Sequence, residues 1–120
     1  MLVIKTNIAR NNGIMEFFDS HAHYKDEKFD IDRDEVIFSV RAEGITRLVS
    51  AGYSVESSEF AKQISENYDF IFHSCGISPN DIPQTEEELW KNLNEIRKIA
   101  KQKHEKLVAI GEIGLVYYWN

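Results

Sequence analysis

Short apolar runs alternate with amphipathic segments along the chain from residue 16 onward. The apolar runs cover residues 16–22, 45–51, 69–75 and 107–110, and each has the length of one β-strand. The segments between them carry apolar residues at helical spacing. Because strands that alternate with helices pair in parallel, the pattern predicts an α/β fold built on a parallel sheet.

Capping residues indicate where the three predicted helices begin and end. The first helix starts near Asp32 and is ended by Gly44, since glycine tolerates the backbone that closes a helix. Ser54 caps the second helix, and Thr85 with Glu88 three residues later forms a capping box for the third. The residues predicted to face the core are Val36, Ile37, Val40, Val55, Phe60, Ala61, Ile64, Leu89, Leu93, Ile96 and Ala100.

The composition is that of one globular domain, with 120 residues of which 42% are hydrophobic and 28% are charged. The formal net charge of −6 argues against a general basic footprint for nucleic-acid phosphates, so we expect any anionic substrate to be held by metal ions. No apolar stretch reaches the roughly 18–20 residues of a membrane span, so we expect no membrane partner. Cys75 is the only cysteine, which favours a reducing cytoplasm.

The first fifteen residues differ in composition from the rest of the chain. They contain Lys5 and Arg10 but no acidic residue, whereas all 20 acidic residues follow Met15. The segment lacks the long apolar stretch of a signal peptide. We therefore predict that residues 1–14 are a non-core N-terminal extension and that residues 15–120 form the functional domain.

Two histidines lie at the end of the first predicted strand of the parallel sheet. In such folds the chemistry is found at the carboxyl ends of the strands, where the loops converge. His21 and His23 are two residues apart, so both imidazoles lie on the same face of the strand. Two imidazoles in this position can share one divalent ion. The alternative is a pair of polar loop histidines with no ligand role.

Glu112 follows the fourth predicted strand and interrupts an otherwise apolar run. Burial of an unpaired carboxylate costs several kcal/mol, so Glu112 must be paired with a cation, protonated through a raised pKa, or bound to a metal. A salt bridge to Lys106 or to an arginine would be a purely structural solution. Glycines at positions 111 and 114 leave room for the backbone to pass close to a ligand.

Four segments of the chain carry a resemblance to a known family. They read FFDSHAHYKDEKFDIDRDEV, AGYSVESSEFAKQISENYDFIF, GISPND and VAIGEIGL, and the resemblance extends over residues 16–118. These motifs are similar to the N-terminal part of the TatD-type metal-dependent deoxyribonucleases and hydrolases, which are TIM barrels with a divalent metal site. The resemblance implies that His21 and His23 are metal ligands and that Glu112 is a carboxylate ligand bridging two ions.

The resemblance also has departures. The family usually has aspartate where this chain has Val116, and it commonly has a histidine where this chain has Ser78. A barrel of eight strand-helix units needs about 200–250 residues or more. The expected fold is therefore the N-terminal half of a (β/α)8 barrel, about four strand-helix units, and we expect such a truncated chain to be inactive or weakly active and to self-associate through exposed sheet edges.

The function implied by the resemblance is hydrolysis of phosphodiester bonds in DNA by metal-activated water, with two divalent ions of the Mg, Mn or Zn class as cofactors. Two alternatives stay open. The same site could cleave an amide, ester or lactone, since the fold does not specify the bond. The chain could also be a non-catalytic truncated product.

Other residues with reactive side chains are given structural interpretations. We interpret His73 as a core histidine within the third predicted strand, and His104 as a structural residue near the C-terminus of the third helix. Cys75 has no neighbouring base, so a nucleophilic role is not expected. The aromatic residues at positions 117–119 are interpreted as packing residues.

Overall fold

The computed structural model describes residues 2–4 and 15–115. Five strands form one sheet in the order β1-β2-β3-β4-β5, and three α-helices connect the last four of them. Among the described residues, no helix has both the length and the apolarity that a bilayer crossing requires. The elements are β1 (Leu2–Ile4), β2 (Phe17–Ala22), α1 (Arg33–Ala42), β3 (Ile45–Ser50), α2 (Val55–Asn67), β4 (Ile71–Cys75), α3 (Glu86–Lys101) and β5 (Leu107–Ile110).

The four strands predicted from the apolar runs pair in parallel, so the α/β fold class is confirmed. Leu48 in β3 is paired with Ile71 in β4, and His73 in β4 is paired with Leu107 in β5. β2, β3 and β4 are each followed by a helix that returns to the opposite end of the sheet. The carboxyl ends of β2 to β5 therefore lie along one edge, where the candidate chemistry was expected.

The helix boundaries follow the predicted capping residues. Ser54 accepts a hydrogen bond from the backbone N–H of Ser57, whose side chain in turn accepts one from the backbone of Ser54. The Thr85 hydroxyl accepts from the backbone N–H of Glu88. Gly44 follows α1 with a φ of 112°, in the left-handed region that glycine adopts without strain. The sequence pattern therefore located all three helices.

Two groups of buried side chains hold the helices against the sheet. The larger one includes Ile37 of α1, Leu48 of β3 and Ile71 of β4, which are fully buried. The smaller one joins Cys75 to Ile96 and Ile99 of α3. Leu93, which the helical spacing assigned to the core, is instead exposed, because α3 turns its Ile96 and Ile99 side toward the sheet.

The strand β1 was not predicted, because we assigned residues 1–14 to an extension outside the sheet. It pairs antiparallel with β2, with Leu2 opposite His21 and Ile4 opposite Phe18. The edge of β2 that we expected to be unpaired is therefore paired with β1. The assignment of residues 1–14 as a non-core extension stays a prediction, since residues 5–14 lie outside the described part of the chain.

The other outer strand of the sheet, β5, has a partner on one side within the described residues, namely β4. Its side chains are exposed on both faces, including 53% of Val108 and 52% of Ile110. A strand whose apolar side chains and backbone edge face solvent can pair with another strand. Within the described residues, β5 with four residues is thus the longer of the two open edges of this sheet, since β1 has three.

Candidate metal centre

His21, His23 and Glu112 meet at the carboxyl ends of the parallel strands. The Nε2 atoms of His21 and His23 are 2.8 Å apart. Oε1 of Glu112 lies 2.7 Å from His21 Nε2 and 3.1 Å from His23 Nε2. Within residues 15–115, this is the one group of three or more His, Cys, Asp or Glu side chains whose ligand atoms lie close enough together to hold a metal ion.

The residues after β5 bring Glu112 across the sheet toward β2. The backbone N–H of Gly111 donates to the Cys75 carbonyl at 2.9 Å, and that of Glu112 donates to the Gly52 carbonyl at 2.6 Å. These carbonyls lie at the end of β4 and just after β3. The segment therefore passes over the ends of two strands, which carries the carboxylate from the outer strand β5 to the histidines of β2.

Gly76 provides the space that this crossing requires. A Cβ atom at Gly76 would lie 2.5 Å from the carbonyl oxygen of Glu112 and 2.5 Å from the carbonyl carbon of Gly111. Contacts of this length with backbone atoms do not occur in folded proteins, so any side chain at this position would displace the segment that carries Glu112. The glycine is needed for close backbone approach.

The imidazole of His23 is held by the neighbouring strand. Its Nδ1 atom lies 3.1 Å from the carbonyl oxygen of Ala51, which can only accept a hydrogen bond. His23 Nδ1 therefore carries a proton, and in the neutral imidazole the lone pair of Nε2 is directed at Glu112 and His21. The Tyr53 ring packs edge-on against the imidazole, with 5.3 Å between ring centroids. Such supporting contacts orient metal-binding histidines in proteins.

Asp19 supports the backbone of β2 next to His21, a role that was not predicted from the sequence. The carboxylate is buried, and its Oδ1 accepts from the backbone N–H of His21 at 3.1 Å. Burial raises the pKa of Asp19, and the hydrogen bond from His21 lowers it in part. Oδ2 has no hydrogen-bond partner among the described residues. An acidic residue inside the apolar stretch 16–22 was the available signal, the same kind of signal that identified Glu112.

The three ligand atoms fit a divalent ion in number, chemistry and spacing. Ligands that bind one ion at about 2.0–2.2 Å lie roughly 3 Å apart in neighbouring coordination positions, close to the observed separations. When His23 is neutral and protonated on Nδ1, the lone pair of its Nε2 and the Glu112 carboxylate face each other and repel. A cation bound between them would remove this repulsion. Imidazole and carboxylate ligands suit Zn²⁺, Mn²⁺ and similar ions.

The centre is open to solvent on two sides. The side chain of His21 is 43% exposed and that of Glu112 is 28% exposed. A cavity of about 710 Å³ lies between the end of β2 and α1, and a smaller one of about 210 Å³ lies over the sheet beside Glu112. The larger cavity is lined by His21, Ala22, His23, Tyr24, Lys28, Phe29, Val36 and Val40. A substrate can therefore approach the three ligand atoms directly.

Lys106 is not the partner of Glu112. Its Nζ donates to the carbonyl oxygens of Ser65 at 2.5 Å and Tyr68 at 2.7 Å, at the C-terminal end of α2. A lysine in this position satisfies helix carbonyls that have no partner within the helix. The structural salt bridge between Lys106 and Glu112 that the sequence left open is thus absent, and Glu112 contacts the two histidines instead.

The residues given structural interpretations lie outside the centre. His73 is fully buried in β4, and its Nε2 lies 3.2 Å from Nδ1 of His104. Burial raises the pKa of the Cys75 thiol, which opposes a nucleophilic role. Ser78 is buried, and its hydroxyl accepts from the backbone N–H of Asn80. Residues 116–120, which include Val116 and the aromatic residues at 117–119, lie outside the described part of the chain.

Comparison with known proteins identifies relatives of this chain that include metal-dependent hydrolases. The chain is 42% identical over 105 residues to an uncharacterized metal-dependent hydrolase, YabD, of Bacillus subtilis, covering 86% of this chain and 38% of that protein. It is 32% identical over 103 residues to a 3'-5' ssDNA/RNA exonuclease TatD of Cronobacter sakazakii, covering 86% of this chain and 37% of that protein. The chain thus spans less than two-fifths of the length of these relatives.

The family model described as TatD related DNase matches residues 18–120, a range that contains both histidines and Glu112. The four parallel strands that alternate with helices are consistent with the N-terminal part of a TatD TIM barrel. The chain belongs to the TatD-related DNase family.

Proposed function

We propose that this chain carries part of the metal centre of a hydrolase that cleaves phosphodiester bonds in nucleic acid, with DNA as the substrate. The observation that carries the proposal is the convergence of the two Nε2 atoms of His21 and His23 on Oε1 of Glu112, at separations of 2.7–3.1 Å. Names of relatives such as "metal-dependent hydrolase" and "ssDNA/RNA exonuclease" support the reaction class and the substrate class.

In this proposal each residue has a distinct part. A divalent ion supplies Lewis-acid chemistry, since it lowers the pKa of water and offsets charge that develops on phosphate. His21 and His23 bind the ion as neutral imidazoles. The Ala51 carbonyl keeps the His23 proton on Nδ1, so that Nε2 stays free to bind. Glu112 contributes negative charge and faces both imidazoles through one oxygen.

We propose two ions, and Glu112 would help to hold both of them. The described residues supply one cluster of three ligands, which is enough for one ion with open coordination positions. A second ion needs ligands beyond this cluster. We therefore expect the 120-residue chain to bind a first ion weakly and to cleave DNA slowly or not at all by itself.

The metal centre is tested first by binding, without any assay of activity. We expect isothermal titration with Mn²⁺ or Zn²⁺ to detect binding by the chain and to detect none in His21→Ala/His23→Ala. Glu112→Gln should weaken binding at least tenfold, because it removes the charge but keeps the shape. His104→Ala is the matched control, since it removes an imidazole far from the centre and should leave the affinity unchanged.

The reaction is tested by combining the chain with the separately produced C-terminal part of the Bacillus subtilis relative. We expect metal-dependent cleavage of single-stranded DNA that disappears with His21→Ala/His23→Ala. Cleavage of ester or lactone substrates but not of DNA would favour the alternative hydrolase. Equal metal affinity in the wild-type chain and the double variant would contradict the proposed metal centre, and absence of any cleavage by the complemented protein would favour the non-catalytic alternative.

A further inference from the structure

The outward face of α3 carries an exposed tryptophan and four cationic side chains. We propose that this face binds single-stranded nucleic acid, with the cations on the phosphates and the indole on a base. The choice of partner rests on the proposed nuclease function, while the binding itself is independent of the metal centre. The residues of this basic face are Trp90, Lys91, Asn94, Arg97, Lys98 and Lys101, all of which are exposed.

The basic face lies opposite the side of α3 that packs on the sheet. Ile96 and Ile99 are buried, and residues three or four positions apart on a helix share one side. Lys91, Lys98 and Lys101 follow this spacing, so they form a row about 15 Å long on the solvent side. A groove of about 370 Å³ runs along the row, and it is lined by Lys91, Asn94, Glu95, Arg97, Lys98 and Lys101.

Three of the four cationic side chains of the basic face form no ion pair among residues 15–115. Nζ of Lys98 pairs with Oε1 of Glu95 at 2.7 Å. Within residues 15–115, Lys91, Arg97 and Lys101 have no carboxylate within ion-pair distance, although the protein as a whole has a net charge of −6. The net charge therefore conceals a local concentration of cations. Such a concentration attracts a polyanion, because phosphate contacts release condensed counterions.

Trp90 distinguishes nucleic acid from other polyanions. Its side chain is 56% exposed, and its Nε1 donates to Oε1 of Glu86 at 3.1 Å, which restrains the ring on the helix surface. Proteins that bind single strands without sequence preference combine a cationic groove with aromatic rings on which bases stack. An acidic protein partner or a simple polyphosphate has no nucleobase that could stack on the ring.

The position of the face suits a strand that leads to the metal centre. α3 begins at Glu86, after the loop that leaves the carboxyl end of β4, and the ligand atoms lie at that same edge of the sheet. Trp90 and Lys91 are in the first two turns of α3, whereas Lys101 is its last residue. The row thus runs from the metal edge of the sheet toward the opposite edge.

The electrostatic part is tested with the full 120-residue chain and a fluorescent twelve-nucleotide thymidine oligomer, by anisotropy in the presence of EDTA. With three phosphates contacted, log K should fall with log salt at a slope of about −2. Lys91→Ala/Arg97→Ala/Lys101→Ala should bring the slope near zero and weaken binding at least tenfold. Lys91→Arg/Lys101→Arg keeps the charge at the same positions and should bind as the wild-type chain does.

The aromatic part is tested by comparing the thymidine oligomer with an abasic oligomer of the same length. Trp90→Ala should weaken binding of the thymidine oligomer roughly tenfold and leave that of the abasic oligomer unchanged. Unchanged affinity and slope in the triple alanine variant would overturn the inference. So would loss of EDTA-resistant binding in His21→Ala/His23→Ala, because binding would then occur at the metal centre, and the proposed function could still stand. Equal effects of Trp90→Ala on both oligomers would exclude base stacking. The basic face would then bind any polyanion, which would also overturn the inference.

Discussion

Nδ1 of His23 lies 3.1 Å from the carbonyl oxygen of Ala51, the residue that follows strand β3. Because a carbonyl cannot donate, this contact requires a proton on Nδ1, so in the neutral imidazole the lone pair is on Nε2. The sheet thereby prepares one ligand of the candidate metal centre through a backbone group. The position of this proton is therefore set by the backbone and does not depend on a neighbouring side chain.

We predict opposite tautomers for His23 and His73. His73 Nε2 faces Nδ1 of His104, which also accepts from the backbone N–H of Lys106, so the proton of His73 is on Nε2. Nitrogen-15 NMR of the imidazoles at neutral pH should therefore detect the Nδ1–H form of His23 and the Nε2–H form of His73. Of these two residues, added Zn²⁺ should shift the signals of His23 and leave those of His73 unchanged. An Nε2–H form of His23 would contradict the ligand geometry.

Substitution of Gly76 by alanine is predicted to damage the metal centre more than the fold. The new Cβ would meet the backbone of Gly111 and Glu112 at 2.5 Å, so the segment carrying the carboxylate must move. We expect metal affinity to fall at least tenfold, which corresponds to about 1.4 kcal/mol or more. Isothermal titration and thermal unfolding measure the two effects separately.

Gly111→Ala is the matched control for Gly76→Ala. Apart from its two chain neighbours, a Cβ atom at Gly111 meets no atom within 4 Å. Metal affinity should therefore stay close to the wild-type value. Equal losses of metal affinity in the two variants would mean that the loop tolerates no side chain at either position. The close approach of the backbone to Gly76 would then not explain the loss in Gly76→Ala.

The sequence predicted those features that depend on local periodicity. His21 and His23 were identified because alternation along a strand has a period of two. The first residues of α2 and α3 were identified because Ser54 and Thr85 are N-caps. Membership of the parallel sheet followed from the order of strands and helices. These are short-range properties, so one chain without a structure is sufficient to detect them.

Long-range arrangements could not be predicted in the same way. Nothing in the sequence near Glu112 indicates that its backbone N–H donates a hydrogen bond to the carbonyl oxygen of Gly52, 60 residues earlier. The pairing of Leu2–Ile4 with β2 has no periodic signal, because three residues are too short to have one. The basic face of α3 was concealed because net charge is a sum over the chain, whereas binding depends on where the charges lie.

Stability is predicted to fall as the pH is lowered from 7 to 5, with His73 as a main contributor. Burial, assisted by electrostatic interactions with His104, Lys62 and Lys106, lowers the pKa of His73 from 6.5 to about 4. The unfolded chain therefore binds a proton between these values while the folded chain does not. The stability that neutral His73 contributes is fully present above pH 6.5 and is lost as the pH falls toward 4. By pH 5 the free energy of unfolding should be lower by about 2 kcal/mol.

Urea unfolding at pH 7 and pH 5 measures this loss. In His73→Leu the difference in unfolding free energy between the two pH values should be smaller than in the wild-type chain by about 2 kcal/mol, whatever the stability at pH 7. Phe72→Leu changes packing on the same strand without removing a titratable group, so its pH dependence should match that of the wild-type chain. An unchanged pH dependence in His73→Leu would assign the effect to other groups.

Removal of residues 1–14 is predicted to change association more than stability. β1 contributes three residues that pair along the edge of β2, and its loss leaves that edge unpaired while the cores around Leu48 and Cys75 stay intact. The chain that starts at Met15 should unfold within a few degrees of the full chain. Sedimentation velocity at increasing concentration should show it to self-associate more strongly, because unpaired strand edges recruit other strands.

The open edge of β5 allows the source of association to be identified. Val108 and Ile110 are about half exposed on that strand, and lysine at these positions discourages edge pairing. In the full chain, Val108→Lys/Ile110→Lys should reduce self-association through β5, since β1 already pairs with the edge of β2. In the shortened chain the same pair of substitutions should leave the added association in place, because the newly exposed edge is that of β2. If the shortened chain stays as monomeric as the full chain at equal concentration, β1 does not protect the edge of β2, and its pairing contributes nothing to solubility.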